Sequence, residues 1–100
     1  MHVITERRLQ EFWENPNHAD AERPLRTWLR IVRKARYPDS HAVRSAFSSA
    51  SFLGERRTVF NIAGNKYRLV VDIRYDLGRI YIRHVLTHKE YDKRTADGTL

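Results

Sequence analysis

The feature that most restricts the fold is a change of hydrophobic period at Arg57. Before it, apolar residues recur every three or four positions; after it, they recur every two. In "KYRLVVDIRY", residues 66 to 75, Leu69, Val71, Ile73 and Tyr75 hold the odd positions. Lys66, Arg68, Asp72 and Arg74 hold even ones. Successive side chains point to opposite faces of a strand, so the pattern describes one greasy and one charged face. "RTVFNI" precedes this strand across the tight turn Ala63-Gly64-Asn65, and "RIYIRHVL" follows it across Asp76-Leu77-Gly78. Three strands joined by short turns form an antiparallel meander.

The N-terminal half reads differently. "MHVI" suits a short first strand, and Thr5 stands where it can cap a helix beginning with Glu6, Arg7 and Arg8. Leu9, Phe12 and Trp13 share one face of that helix, which "NPN" then stops. Leu25, Trp28, Leu29, Val32 and Ala35 form a longer apolar stripe, with Arg26, Arg30, Arg33 and Lys34 largely outside it. Pro24 fits the opening turn of this second helix and Pro38 closes the segment. "PDSHAVRSAF" makes a third short helix capped by Asp39 or Ser40, and "SSASFLGE" reads as loop. Helices grouped on one face of an antiparallel sheet make an α+β two-layer sandwich. In this reading Leu25, Trp28, Leu29 and Val32 cover one sheet face and the other is open. Residues 1–93 form the single domain; "KRTADGTL" has little to bury, and 94–100 are expected to fray.

Charge narrows the function. The 100 residues carry 19 Lys and Arg against 12 Asp and Glu, a formal charge of +7. That balance steers phosphate backbones or acidic proteins toward the surface. The absence of cysteine excludes disulfides, thiolate zinc sites and cysteine nucleophiles. "MHVITERRLQ" turns charged by Glu6, and the longest aliphatic run is Leu69-Val70-Val71, so neither a signal segment nor a membrane span is expected. A cytoplasmic protein follows as the expectation.

With Phe60, Ile62, Leu69, Val71, Ile73, Ile80 and Ile82 facing the helices, the open face carries Asn61, Lys66, Arg68, Asp72, Arg74, Tyr81 and Arg83. Cations beside an aromatic ring suit single-stranded nucleic acid, since cations hold phosphates and rings stack on bases. The plainer alternative is a solvated face with pairs such as Asp72 with Arg68 or Arg74. "LTHKEYD" then gathers His88, Lys89, Tyr91 and Asp92 within five positions after the last strand. Histidine moves protons near neutral pH, and a tyrosine can stack or transfer a proton. Either can also be an ordinary surface or packing residue. Trp13, Trp28, Phe60 and Tyr67 are assigned to the core.

Phe60-Asn61, Gly64-Asn65-Lys66-Tyr67-Arg68, Tyr81-Ile82-Arg83 and Thr87-His88-Lys89-Glu90-Tyr91-Asp92, in that order, resemble the C-terminal half of HigB-type toxins of the RelE superfamily. "LRTWLRIVRKARYPDSHAVRSAFSSASFLG" resembles the family's preceding helix and connection more loosely. The resemblance covers roughly residues 1 to 93. It implies a RelE-like sandwich whose sheet forms an RNA cleft, and cleavage of mRNA on the translating ribosome. The implied chemistry needs no metal or cofactor: the 2′-hydroxyl attacks the adjacent phosphate. Lys66, Arg68 and Arg83 are the candidates for phosphate and transition-state stabilisation, and His88 and Tyr91 for proton transfer. Asn61, Asn65, Arg74, Tyr81 and Lys89 are candidate RNA contacts. The implied partners are mRNA, ribosomal RNA and a HigA-like helix-turn-helix antitoxin.

Beside a basic surface that serves only to dock an acidic protein partner, two further rivals follow from the residues alone. A metal nuclease needs clustered carboxylates or histidines, and Asp72 and Asp76 are the only acids of the central strands. His84 and His88 have metal-ligand spacing on a helix but stand about 13 Å apart on a strand. A non-catalytic RNA- or DNA-binding module on the same basic face is the other rival. The basic residues Arg26, Arg30, Arg33, Lys34 and Arg36 either touch ribosomal RNA or form a solvated helix face.

Overall fold

The three strands expected of the C-terminal half form the centre of a five-stranded sheet. A computed structural model describes residues 1–100. In chain order it contains β1 (His2–Ile4), α1 (Arg7–Glu14), a 3-10 helix (Pro16–Ala21), α2 (Glu22–Lys34) and α3 (Ser40–Ala46). Then come β2 (Ser51–Phe52), β3 (Arg57–Ile62), β4 (Tyr67–Arg74), β5 (Arg79–Thr87) and α4 (His88–Asp97). The spatial order is β1-β5-β4-β3-β2. β3, β4 and β5 form the antiparallel meander, while β1 joins β5 in parallel, which makes the sheet mixed.

Periodicity accounts for the main core. Phe60, Ile62, Leu69, Val71, Ile73, Ile80 and Ile82 are buried in one cluster with Leu9, Leu25, Trp28, Val32 and Val43 of the helices. Each such side chain contributes about 1.5–3 kcal/mol when fully withdrawn from water. Trp28 sets its ring edge-on to Phe60 at 5.4 Å, and Tyr67 packs edge-on to Phe12 at 5.1 Å. The α+β RelE-like architecture expected of the sequence is present. No helix is long and apolar enough to cross a membrane.

Several local expectations are corrected. Thr5 does not cap α1 through its side chain; it adopts φ 69°, and its carbonyl accepts from Arg8 N at 3.1 Å. "NPN" stops α1 by starting the 3-10 helix, with Asn15 Oδ1 accepting from Asn17 N at 2.9 Å. Ser51 and Phe52, read as loop, pair with Val59 and Thr58 as a two-residue edge strand.

The largest correction concerns the open face. Val59, Val70 and Leu86 lie on that face, and all three are buried beneath Tyr91 and Leu100. The chain therefore returns across the face as α4. Thr87 and Glu90 fix its start with a capping box: Glu90 N donates to Thr87 Oγ1 at 3.1 Å, and Thr87 N to Glu90 Oε1 at 2.9 Å. Gly98, at φ 69°, ends it in the left-handed conformation that glycine adopts without strain. Residues 94–97, expected to fray, are its last turn.

Candidate active site

A break in pairing decides what the second face presents. Val70 of β4 pairs with His84, yet Val71 pairs with Ile82, so Arg83 is an extra residue on β5. Such a bulge reverses the alternation beyond it. Tyr81 therefore lies across from Asp72, His84 across from Val70, and Leu86 across from Arg68, all on the outer face. Val85 turns inward to the main core.

The end of this face next to the β3–β4 turn holds the tightest set of predicted residues. Ala63 and Gly64 take φ of 54° and 69°, folding the turn back sharply. Asn61 and Arg68 are direct cross-strand partners. Asn61 Nδ2 donates to Asn65 Oδ1 at 3.2 Å, and Arg68 Nη1 donates to the Asn65 carbonyl at 2.9 Å. The Arg68 guanidinium lies over the Tyr91 ring, 5.7 Å from its centroid. The first turn of α4 is tied to the same corner, because His88 N donates to the Lys66 carbonyl at 3.2 Å. His88 Nδ1 lies 3.0 Å from Asp92 Oδ2, one helical turn along. Lys89 is exposed beside them.

A second cluster occupies the middle of the face. Asp72 bridges Arg57 at 2.6 Å and Arg83 at 3.2 Å, rather than Arg68 or Arg74. Arg8 donates to the Arg83 carbonyl, and the Arg83 Nε is buried without a partner. Tyr81 flanks Asp72, while Arg74 stands at the far end of β4, paired with Asp76 at 2.9 Å.

Lys66 does not join either cluster. It precedes β4, escapes the alternation, and turns toward the helix layer, where its ammonium pairs with Asp20. The Tyr67 hydroxyl donates to the other Asp20 oxygen. These two hydrogen bonds, Lys66 first, hold the Asp20 carboxyl below the usual range. Burial first, and then Asp20, push the Tyr67 phenol up. The expected site thus splits: Asn61, Asn65, Arg68 and Tyr91 meet at one corner, to which His88 is tied by its backbone while its imidazole turns to Asp92, Tyr81 and Arg83 stand at mid-sheet, and Lys66 and Arg74 lie elsewhere.

His84 was not among the expected site residues. Burial, followed by the charges of Arg94, Arg83, Arg8 and Arg57, lowers its pKa. Simple alternation from Ile80 and Ile82 would have put this imidazole in the core. A titratable residue at an apolar position, next to Val85 at a polar one, was the available sign of the bulge.

A fixed guanidinium, a facing phenol, two amide side chains and an exposed imidazole can hold a phosphodiester and a base, and can move protons between them. Fold and site together define a small RelE-like protein with a cationic, aromatic-bearing corner on its sheet. Residues 21–94 match the family of HigB toxins, described as the RelE-like toxic component of a toxin-antitoxin system. The chain is 31% identical over 99 residues to the mRNA interferase toxin HigB of Escherichia coli K12, covering 96% of this chain and 92% of that protein. It is equally similar to the mRNA interferase HigB of Shigella flexneri, at 31% over the same shares. Against the mRNA interferase HigB of Escherichia coli O6:H1 the identity is 28%, over 95% of this chain and 92% of that one. The chain belongs to the HigB toxin family.

Proposed function

We propose that this toxin is an mRNA interferase: a metal-independent endoribonuclease that cuts mRNA on the translating ribosome, in the cytoplasm, and is neutralised by a cognate antitoxin. The observation that carries the reading is the corner where Arg68 faces Tyr91 beside the Asn61–Asn65 pair, in a chain alike over nearly its whole length to proteins named mRNA interferase.

In this mechanism Arg68 binds the scissile phosphate. Two backbone carbonyls, of Asn65 and Tyr67, occupy one of its nitrogens, which leaves the other donors for phosphate oxygens. His88 stands with Nδ1 3.0 Å from the Asp92 carboxylate, which leaves Nε2 as the nitrogen that takes the proton of the 2′-hydroxyl. The 2′-oxygen bonds to phosphorus and the bond to the 5′-oxygen breaks. The Tyr91 hydroxyl gives its proton to that leaving oxygen, producing a 2′,3′-cyclic phosphate and a 5′-hydroxyl. Arg68 is already held in place when charge builds on the phosphate, so little reorganisation is needed. Asn61 and Asn65 position the nucleotide, while Arg83, Tyr81 and Lys89 extend the track. Lys66, engaged with Asp20, stands outside the set. The cationic outer side of α2 supports a ribosomal contact remote from the cut.

End-group analysis tests the chemistry. RNA cut by the purified protein in excess EDTA should carry cyclic phosphate and 5′-hydroxyl termini; 5′-phosphate products, or cleavage that EDTA abolishes, would refute the mechanism.

A further inference from the structure

A groove of about 400 Å³ runs between α2 and the β3–β4 turn, and Arg68 is not among the residues that line it. Its walls include Arg23, Thr27, Ile31 and Phe47 on one side and Asn61 and Gly64 on the other. Three independent features make it unlike the rest of the surface. Ile31 is 41% exposed on a helix whose other large apolar residues are buried or half-buried. Trp28, which also lines the groove, is only 3% exposed, yet its indole N–H has no hydrogen-bond partner. Finally, β2 covers only Thr58 and Val59 of β3. The Arg57 carbonyl accepts from Leu53 N on this edge, so alternation turns the Asn61 N–H and C=O to the same edge, beyond the reach of β2. An unpaired strand edge is a template for an added backbone.

The flanking charge is one-sided. Arg26 and Arg33 of α2 are paired with Glu22 and Glu6, but Arg23 and Arg30 have no acidic partner. We infer that this groove is a docking site for an extended segment of a protein partner. Apolar side chains of the segment sit against Ile31 and Phe47, its backbone pairs with Asn61, and its carboxylates face Arg23 and Arg30. An RNA strand fits less well, since the groove's apolar walls and strand edge ask for a peptide. The identity of the partner rests on the toxin reading above, in which the segment belongs to the antitoxin. Such a segment grips the β3–β4 turn at Asn61 and Gly64 without lying on Arg68.

The test uses the tagged full chain co-expressed with its cognate antitoxin, then separated and titrated calorimetrically. Ile31→Asp and Arg23→Glu should each weaken binding at least about tenfold, while Leu77→Asp, an equally exposed apolar position elsewhere, should bind as wild type. Hydrogen exchange of the wild-type complex should show protection at residues 60–64, which does not depend on any variant folding. Unchanged affinity in both groove variants, or protection confined to the α4 face, overturns the groove. A 20-nucleotide poly-uridine that protects residues 60–64 and loses affinity on Ile31→Asp makes it a nucleic-acid surface, which also overturns the inference. If wild type holds no antitoxin at all, the partner reading itself fails first.

Discussion

The Arg68 guanidinium rests over the Tyr91 ring at 5.7 Å, joining β4 to the first turn of α4. Neither residue reaches the other by sequence proximity; the capping box at Thr87 and the apolar patch under Tyr91 bring them together. Replacing Arg68 by Ala should lower the cleavage rate by about 10²–10³-fold, the usual loss for one preorganised donor to a developing charge. Circular dichroism should show the variant folded. Lys66→Ala, by contrast, should lose less than Arg68→Ala in the same assay.

Tyr91→Phe keeps the ring over Arg68 and removes the hydroxyl. Single-turnover cleavage should fall in Tyr91→Phe nearly as far as in Tyr91→Ala. Full activity in the Phe variant would make Tyr91 a stacking platform instead.

The capping box can be tested without touching an RNA-facing side chain. Thr87→Ala should cost about 1 kcal/mol, typical of a lost N-cap. Faster amide exchange should be confined to α4, and cleavage should fall because His88 and Tyr91 lose their fixed positions. The readouts are chemical denaturation and native-state exchange.

His84 predicts a pH dependence of stability. Its folded pKa lies below the ordinary value near 6.5, so below that value the unfolded chain binds more protons than the native one. Stability is therefore unaffected by His84 above about pH 6.5 and falls as pH drops from there toward the folded pKa. His84→Gln should flatten this part of the thermal-midpoint curve. An unchanged slope would mean the imidazole is solvated.

Leu86 supports α4 from the opposite side of the sheet to the main core. Leu86→Ala should cost about 2–5 kcal/mol, as for other buried leucines, and should loosen α4 before the meander.

The meander and its inward face were legible because period-two alternation needs only local order, and Leu69, Val71 and Ile73 obey it. α2 was legible for the same reason at helical period. The face beyond was not. Val59, Val70 and Leu86 look like ordinary strand residues until the bulge at Arg83 puts Leu86 beside the other two. The helix that covers them was missed although "THKE" is a capping-box pattern, because the segment after it has no apolar stripe to announce burial. Lys66 was misplaced by extending strand alternation one residue into a turn, where it does not apply. Arg68, Tyr91, Asn61 and Asn65 lie together at the corner, a convergence that no local pattern in the sequence carries; that Asp72 would take Arg57 and Arg83 depended on register, which is equally silent there.

In the proposed function the Arg68–Tyr91 corner cuts mRNA during translation. Brief induction in growing cells, with mapping of mRNA 5′ ends beside an Arg68→Ala control, tests it most directly. New 5′-hydroxyl ends phased to the reading frame are expected in wild type and none of them in the control. Ends without phase, or the same ends in Arg68→Ala, would contradict the proposed function.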